Sequence, residues 1–199
     1  HVMDQEAKRI ALYVQRYKLL REIGELQIEP TADETAFLNR CCNLLLQDPE
    51  YCLIWVGQEA ENGRLLPVTT AVQEGLPATQ CRGLVTRLVT ESSTTITAAR
   101  ALAASAPAIC SNLTPANGSE PSTWSLLTAI TGSRSCGSWP LVHDQHKYGV
   151  LTIHSIREGG FTGIELDFIA NVTATVSRAL YLGHTSRHLR LEQDFNCEI

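Results

Sequence analysis

Residues 133–156 read SRSCGSWPLVHDQHKYGVLTIHSI, and residues 161–165 read FTGIE. The runs 139–142 and 148–154 predict two strands, because short apolar segments rich in β-branched and aromatic residues favour a sheet. The polar residues 143–146 between them predict a turn, so the two strands form an antiparallel hairpin. A helix is expected to begin near Glu165. A hairpin that leads directly into a long helix indicates a mixed fold of strands and helices.

The composition is typical of one globular domain with a core of its own. The chain has 199 residues, of which 44% are hydrophobic and 19% charged, and this length suffices for a sizeable core. The net charge is −5 and no dense run of Lys or Arg occurs, which argues against a nucleic-acid surface. No apolar run reaches the roughly 18–20 residues that a membrane helix needs. We therefore expect a cytoplasmic protein that binds no nucleic acid and does not insert into a membrane.

The N-terminus gives a hint about the origin of the chain. Its first residues, His1, Val2 and Met3, lack the charged and apolar regions of a signal peptide. A histidine before a methionine is typical of the remnant of an expression tag. We therefore expect a fragment excised from a longer protein.

The cysteines raise the question of a metal site or a disulfide framework. Their number is odd and no C-x-x-C occurs, so the paired spacing of a structural zinc site is missing. The thiols are predicted to be reduced and mostly buried, acting as small apolar side chains. No metal ligands are predicted. The seven cysteines are Cys41, Cys42, Cys52, Cys81, Cys110, Cys136 and Cys197.

The order of the remaining segments predicts the fold class. Apolar periodicity and turn residues indicate the order helix, helix, two strands, helix, strand, helix, two strands, helix. This order predicts an α+β fold, in which an antiparallel sheet of about six strands carries helices on both faces and long helices at both ends of the chain. The predicted helices span about 4–28, 31–47, 94–104, 123–131 and 163–192, and the strands outside the hairpin span 52–57, 65–72 and 108–113.

Several motifs in this order resemble a GAF domain, over about residues 35–180. The hairpin and the helix after it are similar to the C-terminal half of that family. Residues 98–113, AARALAASAPAICSNL, are similar to its A-x-x-tG-x-P-v-x-x-nDl stretch, and residues 132–135, GSRS, to its G-[YFI]-R-S. Trp124 is similar to the tryptophan of its dP-x-x-x-W element. The usual Asp-Pro is replaced by residues 117–121, NGSEP, in the loop that normally closes over a ligand, so the ligand class is not carried over.

The resemblance implies a GAF/PAS-like fold and a regulatory role. The expected domains are an N-terminal signalling and dimerisation helix (1–30), a sensor domain (31–182) and a C-terminal extension of the linker helix (183–199). The resemblance implies a sensor module of a larger bacterial signalling protein, such as a diguanylate cyclase/phosphodiesterase or a histidine kinase, and no enzymatic activity. A covalently linked effector domain would then receive the signal.

The resemblance also implies a small-molecule pocket between one sheet face and the helical region 94–130. The sequence names neither the ligand nor a cofactor, and the set of residues typical of cyclic-nucleotide-binding members is missing. Polar contacts are expected from the sheet and a wall from the helices and the edge strand. The predicted pocket residues are Thr70, Cys110, Asn112, Trp124, Cys136, Ser138 and His154.

A homodimer is expected from the apolar spacing of the two terminal helices. Residues three, four and seven apart lie on one face of a helix and form a seam between paired helices. A ligand would bias the packing of these helices and so pass a small rotation to the effector. The predicted seam residues are Ile10, Tyr17 and Leu20 in the first helix and Leu166, Ile169, Val176, Leu180 and Leu189 in the last.

Two other functions remain open at this point. One is a haem- or thiol-based redox sensor, with His154 as the haem ligand or with Cys110 or Cys136 as the responsive thiol. The other is a structural dimerisation module that binds no ligand. The cysteines do not match the pattern of free methionine-R-sulfoxide reductases, which also have a GAF fold, and Cys81 with Cys110 is the nearest pair. A metal shared by His184 and His188 is weighed against a solvated helix face, which is the preferred interpretation.

Overall fold

A five-stranded antiparallel sheet runs through the centre of the fold in this computed structural model, which describes residues 2–26, 34–91, 96–113 and 122–197. The order of the strands in the sheet is β2-β1-β5-β4-β3. The sequence predicted about six strands, but the five strand-like runs identified there account for every strand in the described ranges. The strands are β1 (Tyr51–Glu59), β2 (Leu65–Val72), β3 (Ala108–Cys110), β4 (Ser135–His143) and β5 (His146–Ser155).

Helices cover both faces of the sheet, as predicted. The sheet therefore separates two hydrophobic cores. The first core lies under α1 (Val2–Glu25), α2 (Glu34–Leu45) and α6 (Ile164–Cys197), and the second under α3 (Ala78–Glu91), α4 (Thr97–Ala104) and α5 (Thr123–Thr131). Among the described helices, none combines the length and the apolar composition needed to cross a bilayer.

The predicted hairpin is formed by β4 and β5, and its turn has two residues. Asp144 and Gln145 have φ values of 46° and 66°, and His143 pairs with His146 across the turn. Two successive residues with positive φ are typical of the type I′ turn, whose twist matches that of the strands it joins. The α-helix that follows begins at Ile164, as expected from the sequence.

Side chains of the hairpin alternate between the two cores. Leu151 and Ile153 lie in the first core, while Val150 lies in the second. Because successive residues of a strand point to opposite faces, Thr152 and His154 lie on the same face as Val150. This alternation places polar side chains of the central strands under the three short helices, α3 to α5.

The structure corrects the predicted dimer seam on the C-terminal helix. Ile169, Val176 and Leu180 are at most 3% exposed and pack into the first core of their own chain. Leu166 is partly buried against the same core, whereas Leu189 is exposed. A side chain buried in its own core cannot contact a second chain, so the apolar spacing on α6 reflects attachment to the sheet.

The N-terminal helix keeps an exposed apolar stripe. Ile10 and Tyr17 are 58% and 75% exposed, and Val14 between them is exposed as well. Leu20 instead packs against the first core, together with the buried Leu19. The apolar residues on α1 therefore face two directions, one toward the sheet and one toward solvent.

Candidate ligand-binding site

A pocket of about 270 Å³ lies on the α3–α5 side of the sheet. For scale, an apolar cavity of about 150 Å³ holds benzene, so this pocket has room for one substituted ring. Its walls are mostly apolar, with a few polar groups that can orient a ligand, which is the usual character of small-molecule sites. The described residues that line it are Leu88, Ile96, Thr97, Arg100, Cys110, Leu113 and Trp124.

The helix that carries Trp124 is fixed at both ends. The Ser122 hydroxyl accepts a hydrogen bond from the Ser125 amide at 3.1 Å, which caps α5 at its N-terminus. Gly132 closes the other end with φ of 70°, a left-handed conformation that suits glycine. These caps hold the indole of Trp124 over the sheet, where its ring centroid lies 5.7 Å from that of His154.

A chain of buried hydroxyl groups connects the pocket wall to the sheet. Ser138 Oγ donates to Thr97 Oγ1 at 2.8 Å, and Thr152 Oγ1 lies 2.8 Å from Ser138 Oγ. Since a hydroxyl has one hydrogen to donate, Thr152 donates to Ser138. Thr97 Oγ1 also lies 3.6 Å from Cys136 Sγ, and either of these two atoms can donate. We call the side chains of Thr97, Cys136, Ser138 and Thr152 the polar layer beneath the pocket. Thr97 belongs to this layer and also lines the pocket.

His154 lies below this pocket as a neutral side chain. It is 1% exposed, and burial lowers its pKa to about 4. Trp55 Nε1 donates to its Nε2 at 3.4 Å, so the neutral ring carries its proton on Nδ1, which has no partner among the described residues. The side chain is covered by Trp124 and is not among the described lining residues, so the arrangement does not fit an axial haem ligand.

Of the other predicted pocket residues, some lie at or beneath the pocket and two lie elsewhere. Cys136 and Ser138 lie in the polar layer just described, and Cys110 and Trp124 line the pocket. Thr70 is on the correct face, since it pairs with Trp55, but it lies in β2, away from the pocket. The Asn112 amide points elsewhere and donates to Glu158 Oε1 at 2.8 Å.

Sequence reasoning placed the helical region 94–130 at the pocket but named no residue of α4. Thr97 and Arg100 are three residues apart, so they lie on the same face of this helix, and both line the pocket. The side chain of Arg100 is exposed and makes no hydrogen bond or ion pair with other described residues. Polar residues with this spacing in the alanine-rich run 97–104 were the signal in the sequence.

Of the six cysteines whose side chains the structure describes, all but one are buried. Burial raises the pKa of Cys41 and Cys136 to about 12 and that of Cys52 to about 11. Cys42 and Cys81 are also buried, whereas Cys110 is half-buried at the pocket. The prediction of mostly buried thiols is confirmed for the described cysteines.

The histidines of the last helix contact carboxylates at the surface. His184 Nε2 lies 2.5 Å from Glu34 Oε1, and His188 Nδ1 lies 3.4 Å from Glu192 Oε1. No group of three or more His, Cys, Asp or Glu in the described ranges is arranged to hold a metal ion. This placement agrees with the solvated helix face favoured by the sequence.

On the opposite side of the sheet, a buried arginine joins the two terminal helices. Arg16 of α1 is 4% exposed. Its guanidinium lies 3.0 Å from Glu165 Oε1 of α6 and 3.4 Å from Asp48 Oδ2 in the turn after α2, and above the ring of Phe168. Glu165 also pairs with Arg157, at 2.6 Å. We call Arg16, Asp48, Arg157 and Glu165 the helix junction.

The segment between β5 and α6 contacts both residues 110–113, next to the pocket, and the helix junction. At the pocket end, Gly159 N donates to Ser111 O at 2.8 Å, next to the Asn112–Glu158 bond. Ser135 Oγ donates to Arg157 O at 2.6 Å, which ties the same segment to β4. Continuous contacts thus run from residues 110–113, through residues 157–159, to the helix junction.

Comparisons with known proteins identify the fold. The sequence profile of the GAF domain family matches residues 31–180, and no curated protein matches the sequence. The GAF domain of the cyanobacteriochrome TePixJ is 17% identical, with a TM-score of 0.57 over 82% of this chain and 95% of that chain. A domain of a putative two-component sensor histidine kinase from Sinorhizobium meliloti 1021 is 12% identical, with a TM-score of 0.57 over 80% of this chain and 99% of that chain.

An enzyme has a similar fold. Free methionine-R-sulfoxide reductase from Neisseria meningitidis, solved in complex with its substrate, is 11% identical, with a TM-score of 0.57 over 86% of this chain and 89% of that chain. At these identities the structural similarity establishes the fold alone, whereas the profile match extends over most of the sequence. The chain therefore belongs to the GAF domain family, whose members generally serve as regulatory sensor modules in signalling proteins.

Proposed function

We propose that this GAF domain binds a small molecule in the pocket under Trp124 and relays its binding to the two terminal helices. The observation that carries the proposal is the path of contacts from residues 110–113 at the pocket, through residues 157–159, to the helix junction. The Asn112–Glu158 bond lies at one end of this path, and the two ion pairs of Glu165 lie at the other. A ligand that moves residues 110–113 therefore acts on the segment that positions Arg157.

The pocket favours a ligand with an apolar or aromatic body and one anionic group. Leu88, Ile96 and Trp124 supply apolar and aromatic walls, and an aromatic ring is well suited to pack on an indole. Arg100 adds an exposed guanidinium whose planar donor groups match a carboxylate or a phosphate. Thr97 can offer its hydroxyl oxygen to a polar substituent.

The relay follows from a difference in ligand affinity between two arrangements of the helix junction. A ligand shifts an equilibrium only by as much as it prefers one state. In the proposed mechanism, the bound state fixes residues 110–113 and the bonds that Ser111 and Asn112 make to Gly159 and Glu158. The neighbouring Arg157 then holds Glu165 in one orientation, which sets the start of α6 relative to α1.

The experiment uses probes that differ in charge but share the ring. Thermal unfolding is measured with benzoate and with benzyl alcohol, each at millimolar concentration, after absorbance and native mass spectra have shown whether the purified protein carries a bound group. Benzoate is expected to raise the melting temperature and benzyl alcohol to raise it less. Arg100→Ala should remove the difference, whereas Arg82→Ala, which alters an exposed arginine outside the pocket, should preserve it.

A homodimer through the exposed stripe of α1 is part of the same proposal. Ile10, Val14 and Tyr17 form an apolar face at helical spacing, and a second copy of α1 would bury it. The combined change Ile10→Asp and Tyr17→Asp should shift the sedimentation coefficient of the protein from dimer to monomer. Lys18→Ala, a nearby exposed change on the same helix, should leave the dimer intact.

The biological setting proposed is an input domain, without enzymatic activity, of a larger cytoplasmic signalling protein. GAF domains are commonly linked to effector domains, and the long helices α1 and α6 would connect this domain to its neighbours. A dimer that gives no response to any probe would favour a purely structural dimerisation module. A monomer without a probe response would contradict both functions.

A further inference from the structure

Two cysteines lie directly opposite each other at the edge of the sheet. The register of β3 and β4 pairs Cys110 with Cys136. Directly opposed residues of an antiparallel pair have Cα atoms about 4.5–5.5 Å apart and side chains on the same face. A disulfide spans Cα distances of roughly 4.4–6.8 Å. The two thiols can therefore be joined without a change of register.

The two thiols differ in access. Cys110 is half-buried and lines the pocket, and its Sγ donates to Asn112 O at 3.5 Å. Cys136 is fully buried, next to Thr97 Oγ1. An oxidant small enough to enter the pocket meets Cys110 first, and the neighbouring thiol is then positioned to react with the product. The buried Cys136 thiolate is disfavoured, because burial raises its pKa to about 12, so the second step is expected to be the slower one.

The other described thiols are buried in the two cores and do not line the pocket. Cys41 and Cys42 are neighbours on α2 and are buried in the first core. Cys52 and Cys81 are buried in the second core, on β1 and α3. Among the described cysteines, Cys110 and Cys136 thus combine direct pairing across two strands with access from a pocket.

We propose that Cys110 and Cys136 form a redox modification site, in which a hydroperoxide converts the two thiols to a cross-strand disulfide. In the first step the Cys110 sulfur attacks the peroxide, so that an S–O bond forms, the O–O bond breaks and water or an alcohol leaves. In the second step the Cys136 sulfur attacks the resulting sulfenic acid, so that the S–S bond forms and the S–O oxygen leaves as water. The two thiols lose two electrons and two protons, and the peroxide is reduced.

The disulfide would change the polar layer beneath the pocket. Once Cys136 Sγ is bonded to Cys110, its hydrogen bond with Thr97 must rearrange, and Thr97 is the group that links the pocket wall to Ser138. The bond would also hold β3 to β4 just before residues 111–113. An effect on ligand binding rests on the function proposed above, whereas formation of the disulfide does not.

The test uses the full chain treated with hydrogen peroxide and compared with an untreated sample. Free thiols titrated under denaturing conditions should fall from seven in the untreated protein to five, and peptide mapping should find residues 110 and 136 cross-linked. Cys110→Ser should prevent this loss of two thiols, and Cys81→Ser should still show it. Benzoate binding is then compared in the reduced and oxidised proteins, so that the disulfide and the ligand site are judged separately.

The same peptide map contains the outcomes that would overturn the proposal. Oxidation of Cys110 to sulfinic acid while Cys136 remains a free thiol would show that the pair does not close. A disulfide from Cys110 to any other cysteine would show that the strand register does not decide its partner. Since the peptide map is obtained from the oxidised protein without any amino-acid substitution, it does not depend on the folding of a variant.

Discussion

Replacement of Arg16 tests whether the helix junction is a buried charge cluster. The change Arg16→Met keeps much of the aliphatic stem of the side chain and removes only the guanidinium, which separates the loss of charge from the loss of packing. In the variant, Asp48 loses its ion pair and keeps the bond from the Glu50 amide at 3.0 Å. Glu165 keeps its pair with Arg157.

The size of the effect follows from burial. Removal of one partner from a buried ion pair typically costs about 3–5 kcal/mol, since the other charge remains buried without compensation. Because Glu165 retains a second arginine, we expect a value near the lower end, about 3 kcal/mol. On the same helix, Arg21 pairs with Glu25 at the surface, and exposed pairs of this kind contribute about 0.3–0.5 kcal/mol. Arg21→Met is therefore the matched control.

The assay is urea unfolding followed by tryptophan fluorescence. Trp55 and Trp139 are buried on opposite faces of the sheet, so their emission reports on both cores. With a slope of about 1–3 kcal/mol per molar urea, Arg16→Met should lower the midpoint by about 1 M or more and Arg21→Met by much less. Equal midpoints for the two variants would refute the reasoning, because Arg16 would then be solvated and α1 would not be docked on the sheet.

Three further predictions concern two buried positions of β5 and one exposed position of α3. A histidine in the unfolded chain has a pKa near 6.5, whereas burial lowers the pKa of His154 in the folded protein to about 4. Between these two pH values the unfolded state binds more protons than the folded state. The free energy of unfolding should therefore fall with falling pH in this window, by roughly 3 kcal/mol. In His154→Leu this part of the pH dependence should vanish from urea midpoints measured between pH 7 and pH 4.5, and an unchanged profile would assign the loss to other groups. Gly149→Ala should cost more than about 2 kcal/mol, because its φ is +142° and a Cβ would lie 2.3 Å from Gly57 O. Gly83 lies in the exposed interior of α3, where a Cβ would meet no atom within 4 Å apart from the local helix backbone. Gly83→Ala should therefore stabilise the protein by about 0.5–1 kcal/mol, and the opposite order of melting temperatures would contradict this argument.

Much of the fold could be predicted from the sequence, because local patterns decide it. The hairpin is specified by two apolar runs around a polar turn, and alternation along β5 separates Ile153 from His154. The start of α6 near Glu165 was likewise apparent. The described residues form five strands, so the predicted count of about six was slightly too high for this part of the chain.

The site and the dimer seam were harder to predict, because both depend on which face of a helix meets the sheet. The spacing of Ile169, Val176 and Leu180 is equally suitable for a sheet contact and for a second helix, and the structure shows the sheet contact. Cys136 and Ser138 of β4, which were predicted as pocket residues, lie in the polar layer beneath the pocket. The spacing of Thr97 and Arg100 could have indicated that both line the pocket, but it was not used. The hydrogen bond from Ser138 to Thr97 joins residues that are distant in the sequence, so it leaves no local signal.

In the proposed relay, the helix junction is the reason why the two terminal helices would respond together. Glu165 is shared by Arg16 of α1 and Arg157 of the segment after β5. If that segment moves and withdraws Arg157, Arg16 becomes the main cation for both Glu165 and Asp48, and a single guanidinium must then balance two buried carboxylates. Such a state is costly unless α1 or α6 shifts to admit water. The same displacement therefore acts on both helices at once, and the position of α1 relative to α6 is the output that a linked domain would read.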